Sequence, residues 1–167
     1  AIDRESLVNH TLQGEGYPVS NGFIPNTEFF PASRVKGPDF NLNKAHALLA
    51  QAGYANGNGF PELVIYVSGN KDAANHLLAK GIAKQLKENL GIVTTVELVN
   101  FEKRNEYVKS GKASLWVSGW IADYPDGESF LSIFYGKYAN LNSEFMNPFK
   151  YRNAKFDDLY VRLNKEL

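Results

Sequence analysis

The chain has 167 residues and a mass of 18.6 kDa, with 18 Lys+Arg balanced by 18 Asp+Glu. Zero net charge and a pI near 7.1 argue against nucleic acid as the main partner, because phosphate binding needs a basic face. Cysteine is absent, which excludes disulfides and thiolate zinc sites, and no apolar run reaches the roughly 18 residues of a membrane span. With 44% hydrophobic and 22% charged residues, the composition is that of an ordinary globular chain, about one domain in size.

No signal peptide is visible. The chain opens Ala1-Ile2-Asp3-Arg4 and closes at Leu167 inside a helical pattern. Both ends read as cut, as in a fragment of a longer mature protein.

Residues 2–12 are expected to be helical, with Ile2, Leu7, Val8 and Leu12 on one side and Gly14 and Gly16 beyond the end. Residues 14–42 are rich in Gly, Pro, Asn and aromatics. Two readings are open: a functional segment draped over another surface, or a loop pinned by Phe23, Phe29, Phe30 and Phe40. Asn43 is the expected N-cap of a short helix with stripe Ala45, Leu48, Leu49 and Ala52, closed by Gly53. Asn56-Gly57-Asn58-Gly59 is a turn signal.

Residues 63–68 alternate as a strand, and Val64 makes both faces partly apolar, as in a covered sheet. The next helix, near 71–90, carries Ala74, Leu78, Ile82, Leu86 and Leu90 at four-residue spacing and stops at Gly91. Residues 92–99 are β-branched and read as a second strand. Asn100 caps a helix over 101–109, and residues 114–120 form a third strand. Helices follow at 127–135 and 154–167, the latter with Phe156, Leu159, Tyr160 and Leu163 on one stripe.

The middle is therefore β-α-β-α-β with short connections. That order favours a mainly parallel sheet with right-handed crossovers and helices on both faces, an α/β fold. Ligands of such sheets bind beyond the carboxyl ends of the strands. Those ends are Ser68-Gly69-Asn70, Asn100-Phe101 and Gly119 to Asp123.

The third exit holds the most chemistry. Gly119-Trp120-Ile121-Ala122-Asp123-Tyr124-Pro125-Asp126-Gly127-Glu128 gathers a Trp, a Tyr and three carboxylates. Trp120 offers an apolar wall, and Asp123 offers charge-assisted hydrogen bonds to a cation. The competing reading makes Trp120 core, has Asp123 cap a turn, and uses Asp126 and Glu128 to charge the start of a helix. A glycosidase pair is a third option, but these acids share one loop with no second acidic cluster opposite. His10, His46 and His76 fall on separate helices without metal-ligand spacing, and no phosphate loop or nucleophile elbow occurs, so neither metal nor cofactor is assigned.

Several runs resemble the extracytoplasmic solute-binding proteins of peptide ABC transporters, the oligopeptide/dipeptide-binding (family 5) group. They are Phe40 to Ala45 with Leu48 to Tyr54, Ile82 to Ile92, and Tyr107-Val108-Lys109-Ser110-Gly111 leading into Gly119 to Asp126. The opening Ala1 to Val8 and the region of Pro25 fit as well, so the likeness runs over nearly the whole chain in order.

The resemblance implies that residues 1–167 are a single α/β lobe, the C-terminal lobe of a class II periplasmic-binding-protein-like fold, with the N-terminal lobe missing. It implies capture of peptides outside the cytoplasmic membrane, in the periplasm or at the cell surface, and delivery to the membrane permease of an ABC importer. Lipid anchoring through the absent N-terminal part would suit it. No catalysis is expected.

By the same resemblance, Asp123 holds the peptide's α-ammonium, Trp120 lines the cleft, and the adjacent backbone of Ile121, Ala122 and Tyr124 pairs with an extended peptide. Ser68 and Asn70 complete the expected ligand set. Some relatives place an Arg near the start of the long helix to clamp the peptide carboxylate. Residues 68–77 hold Lys71 and His76 but no Arg, so a carboxylate is expected at the helix N-terminus near Asn70 and Lys71. The alternatives are a lobe binding oligosaccharide or another nonpeptide solute, the ligand-sensing domain of a regulator, and a hydrolase.

Overall fold

The computed structural model describes residues 1–19, 22–25, 30, 35–140 and 147–166. The chain divides into two compact units, one of residues 1–20 and 38–118, the other of residues 21–37 and 119–167.

The first unit is built on a three-stranded parallel sheet of order β2-β1-β3: β1 (Leu63–Ser68), β2 (Thr94–Val99) and β3 (Leu115–Trp116). Helices connect the strands and cover both faces, as the residue order predicts. α3 (Ala74–Leu90) packs on the side of Ile65 and Val67, where Ala79, Ile82 and Ala83 meet Val96, Leu98 and Val117. α4 (Phe101–Ser110) packs on the other side, where Val108 and Tyr107 meet Tyr66 and Val64. Val67, fully buried, is the centre of the first cluster.

Most of the stripe expected on α3 turns inward: Leu90 is buried, Ile82 packs on the core cluster, and Leu78 and Leu86 are half-buried, whereas Ala74 is exposed and Ala79, off that stripe, is fully buried. Small residues at 79 and 83 let the helix lie close on the sheet. Gly81 serves a second neighbour: a Cβ there would lie 2.7 Å from Leu7 Cδ2. That neighbour is the N-terminal segment, α1 (Arg4–Ser6) running into a π-helical turn over Leu7–Thr11. The expected regular helix over 2–12 is thus a short α-turn opened by Asp3, whose carboxylate accepts from Ser6 N, followed by a widened turn. Gln85 fastens the segment by accepting from Asp3 N at 2.7 Å.

α2 (Leu42–Gln51) starts two residues earlier than expected, with Asn41 as N-cap accepting from Lys44 N at 2.8 Å. Its stripe is only half covered, and Leu48 stands 54% exposed. A 3-10 turn over Ala55–Gly57 then lies against the end of α3. A Cβ on Gly57 would meet Leu90 O at 2.6 Å, and one on Gly91 would run into Asn56 O, so the two backbones approach more closely than side chains allow.

β2 and β3 are shorter than the patterns 92–99 and 114–120. Ile92 is buried ahead of β2, and Val93 O accepts from Leu63 N. Val117 N donates to Tyr66 O as the last bond of the β3 ladder, and the chain then leaves the sheet.

The second unit has little regular structure besides α5 (Glu128–Leu131) and α6 (Ala154–Glu166). The helix expected over 127–135 breaks into α5 and two 3-10 turns, Ser132–Phe134 and Gly136–Ala139. Aromatic packing holds the unit. Phe134 stacks on Phe149 at 5.1 Å and receives the edges of Phe23, Tyr151 and Phe156. Of the four phenylalanines expected to pin the early loop, Phe23 packs edge-on against Phe130 and Phe134, Phe30 is half-buried beside Gly127, Phe40 is 44% exposed, and Phe29 lies outside the described residues. Buried Asn147 ties the turns by donating to Tyr135 O and Tyr151 O while accepting from Tyr151 N. Gly136 N donates to Asp157 Oδ1 at 2.8 Å, docking α6.

Candidate functional site

The ligand residues expected from the sequence fall on both units. Ser68 and Asn70 belong to the first, and residues 120–124 to the second.

At the end of β1, Ser68 is half-buried and Gly69 takes φ +126°, turning the chain out of the sheet. Asn70 is exposed, and its side-chain oxygen accepts from Asp72 N at 3.0 Å, so that oxygen closes its own turn. α3 begins only at Ala74, three residues after Lys71, and Ala73 gives it no side-chain cap.

The residue that sequence reasoning missed here is Arg104. It lies in the first turn of α4, is only 7% exposed, and donates from Nη1 to Ser68 Oγ at 2.9 Å and to Val117 O at 3.2 Å. Its Nη2 donates to Asn105 Oδ1, and the guanidinium sits 4.8 Å from the Phe101 ring centroid. Burial lowers its affinity for its proton. The available signal was spacing: Arg104 stands four residues before buried Val108, on the stripe that faces the sheet.

In the second unit the run 119–129 forms a tethered loop. Trp120 Nε1 donates to Ser129 O at 2.7 Å, and Asp123 N donates to Ser129 Oγ at 3.0 Å. Glu128 N donates to Asp126 Oδ1 at 2.7 Å, so Asp126 rather than Asp123 closes the turn before α5. Glu128 itself is buried and accepts from the hydroxyls of Tyr124 and Tyr160. Burial and the Glu128 carboxylate both raise the Tyr160 phenol pKa well above its ordinary value.

These tethers use backbone, indole N–H, phenols and the inner acids. They leave the Asp123 carboxylate exposed, with no hydrogen bond or ion pair among the described residues. Trp120 is 42% exposed although its N–H is tied down, and Ile121 is 89% exposed. The loop therefore presents an acid, an indole face and an aliphatic side chain from one anchored frame. Ala122 is half-buried within it, and Tyr124 turns its hydroxyl toward Glu128.

His76 is buried near the start of α3, with Nδ1 lacking a partner among the described residues. Among those residues no group of three or more His, Cys, Asp or Glu is placed to hold a metal, and no helix is long and apolar enough to cross a membrane.

The fold is that of part of a class II periplasmic binding protein. A solved periplasmic oligopeptide-binding protein from Borrelia burgdorferi superposes with a TM-score of 0.80 at 29% identity, over 96% of this chain and 30% of that one. The chain belongs to the bacterial extracellular solute-binding proteins, family 5, whose middle-region model matches residues 1–142. It is 31% identical to the oligopeptide-binding protein OppA of Bacillus subtilis (strain 168) over 160 residues, 89% of this chain and 28% of that protein. It is 28% identical to heme-binding protein A of Haemophilus influenzae over 166 residues, 95% of this chain and again 28% of the relative. The chain thus spans less than a third of the length of these relatives.

Proposed function

We propose that this chain supplies one wall of a peptide-binding cleft in an extracytoplasmic solute-binding protein, which hands its ligand to the membrane permease of an ABC importer. The other wall belongs to a second lobe in the remainder of a longer protein. The observation that carries the reading is Asp123: its backbone is fixed to Ser129, its carboxylate is exposed, and nothing among the described residues neutralises it. A free peptide's α-ammonium fits that acid by charge-assisted hydrogen bonding. Trp120 and Ile121 offer apolar surface beside it. Backbone pairing along 120–124 gives affinity without reading side chains, which suits a carrier of varied peptides. The role is binding and release rather than turnover.

A nonpeptide ligand is the second reading, favoured by the likeness to a relative named for heme binding. In that case the half-exposed Trp120 supplies the main contact and Asp123 has no essential part.

The isolated chain tests the two-wall model. Calorimetric titration with a peptide mixture should show affinity at least about a hundredfold weaker than that of the longer protein, because about half the buried ligand surface is missing. Equal affinity in both would contradict a ligand enclosed between two lobes.

A further inference from the structure

Both residues of the proposed ammonium wall are fastened to one buried side-on neighbour, Ser129, which is only 3% exposed. Its carbonyl accepts from Trp120 Nε1 at 2.7 Å, and its hydroxyl oxygen accepts from Asp123 N at 3.0 Å. Ser129 belongs to α5, a helix of four residues, and the last four carbonyls of a helix have no donor from within it. The indole N–H fills that place, joined by Ser132 Oγ, which donates to the same carbonyl at 3.2 Å.

No ladder holds the stretch that Ser129 fastens. Residues 117–127 carry neither helix nor strand. Between Val117, which donates to Tyr66 O, and Asp126, which donates to Tyr124 O, no backbone N–H reaches a backbone carbonyl among the described residues. Position therefore comes from side-chain ties. The bond from Tyr124 to Glu128 anchors the loop one residue beyond Asp123, and Ser129 supplies the other two.

The two ties on Ser129 differ in what they depend on. The tie to Trp120 uses the backbone and survives substitution of the side chain. The tie to Asp123 uses the hydroxyl and is lost with it. A carboxylate on a free backbone has to be ordered each time it meets a ligand, which opposes binding, whereas a tethered one is ordered in folding.

We infer that Ser129 is a positioning residue for the ammonium site: its hydroxyl fixes the backbone that carries the Asp123 carboxylate, and so sets how strongly the protein prefers unblocked amino termini. The assignment rests on the peptide reading above.

The test uses the natural protein that contains this chain and one peptide sequence in two forms, with a free and with an acetylated amino terminus. Titration calorimetry on wild type should show the free form bound about tenfold or more tightly. Ser129→Ala should cut that preference about three- to tenfold and change the acetylated form by less than about twofold, because the indole tie remains. Ser129→Thr keeps the hydroxyl and should restore most of the preference. Ser129→Cys, whose sulfur is a weak acceptor, should fall between, and it carries the test if Ser129→Ala fails to fold. In an Asp123→Asn background, Ser129→Ala should alter the affinity for the free form by less than about twofold, because one residue acting through another is not additive with it. Unchanged preference in Ser129→Ala and Ser129→Cys, equal loss for both forms, or an undiminished further loss in the Asp123→Asn background overturns the assignment while the peptide reading stands. Wild type that binds the two forms equally, or binds neither, overturns the ammonium reading with it.

Discussion

Asp123→Asn in the longer protein should weaken peptides with a free amino terminus by about 10- to 100-fold. A hydrogen bond to a charged group contributes roughly 1.5–3 kcal/mol net, and each 1.4 kcal/mol is a factor of ten. The substitution keeps shape and removes charge. It also spares the loop, because Asp123 is fastened through its backbone N–H to Ser129 rather than through its carboxylate. N-acetylated forms of the same peptides carry no ammonium and should lose less than about threefold. Titration calorimetry with both series reads the difference. Equal loss for free and acetylated peptides would remove the ammonium role from Asp123 and shift weight to Trp120 and the nonpeptide reading.

The frame behind that loop should prove equally sensitive, in stability. Glu128 is buried and accepts from two phenols, of which Tyr160 is itself only 7% exposed. Glu128→Ala removes the carboxylate that accepts from the buried Tyr160 hydroxyl and frees the half-exposed Tyr124. An unsatisfied buried polar group costs about 1–3 kcal/mol, so the total is about 2–4 kcal/mol, with the melting temperature falling by about 5–15 °C. Glu128→Gln keeps one acceptor oxygen and should fall between the two. Thermal unfolding followed by circular dichroism checks the order. A Glu128→Ala variant that melts with wild type would show that the two tyrosine contacts contribute nothing to stability.

The parallel sheet was legible because its signals were local and redundant. Residues 63–68 are apolar on both faces, α3 ends at a glycine with φ +72°, and α4 starts at an asparagine whose side chain accepts from Lys103 N. These are caps and periodicities that the chain carries regardless of its neighbours. What was not legible came from tertiary contact. The π-helical turn at Leu7–Thr11 sits where Gly81 makes room for Leu7, some seventy residues away. On α3 the fully buried residue is Ala79, a small residue beside the expected stripe that lets the helix approach the sheet. The helix over 127–135 broke because aromatic packing on Phe134 and the tie from Gly136 to Asp157 outweighed local helical preference.

The candidate site divides the same way. Trp120 and Asp123 could be singled out because a strand exit rich in acid and aromatics is unusual in itself. Which acid closes the turn needed the structure: Asp126 takes the capping position, and Trp120 stays partly open although its indole N–H is bound. Arg104 left no comparable trace. An arginine on a short helix is ordinarily a solvated side chain, and only the fold sets it against Ser68 and Val117.

The ligand carried through a gentle purification of the longer protein, identified by mass spectrometry, tests the central claim most directly. The account predicts a set of peptides with varied side chains and unblocked amino termini. A porphyrin or a glycan in their place would contradict it.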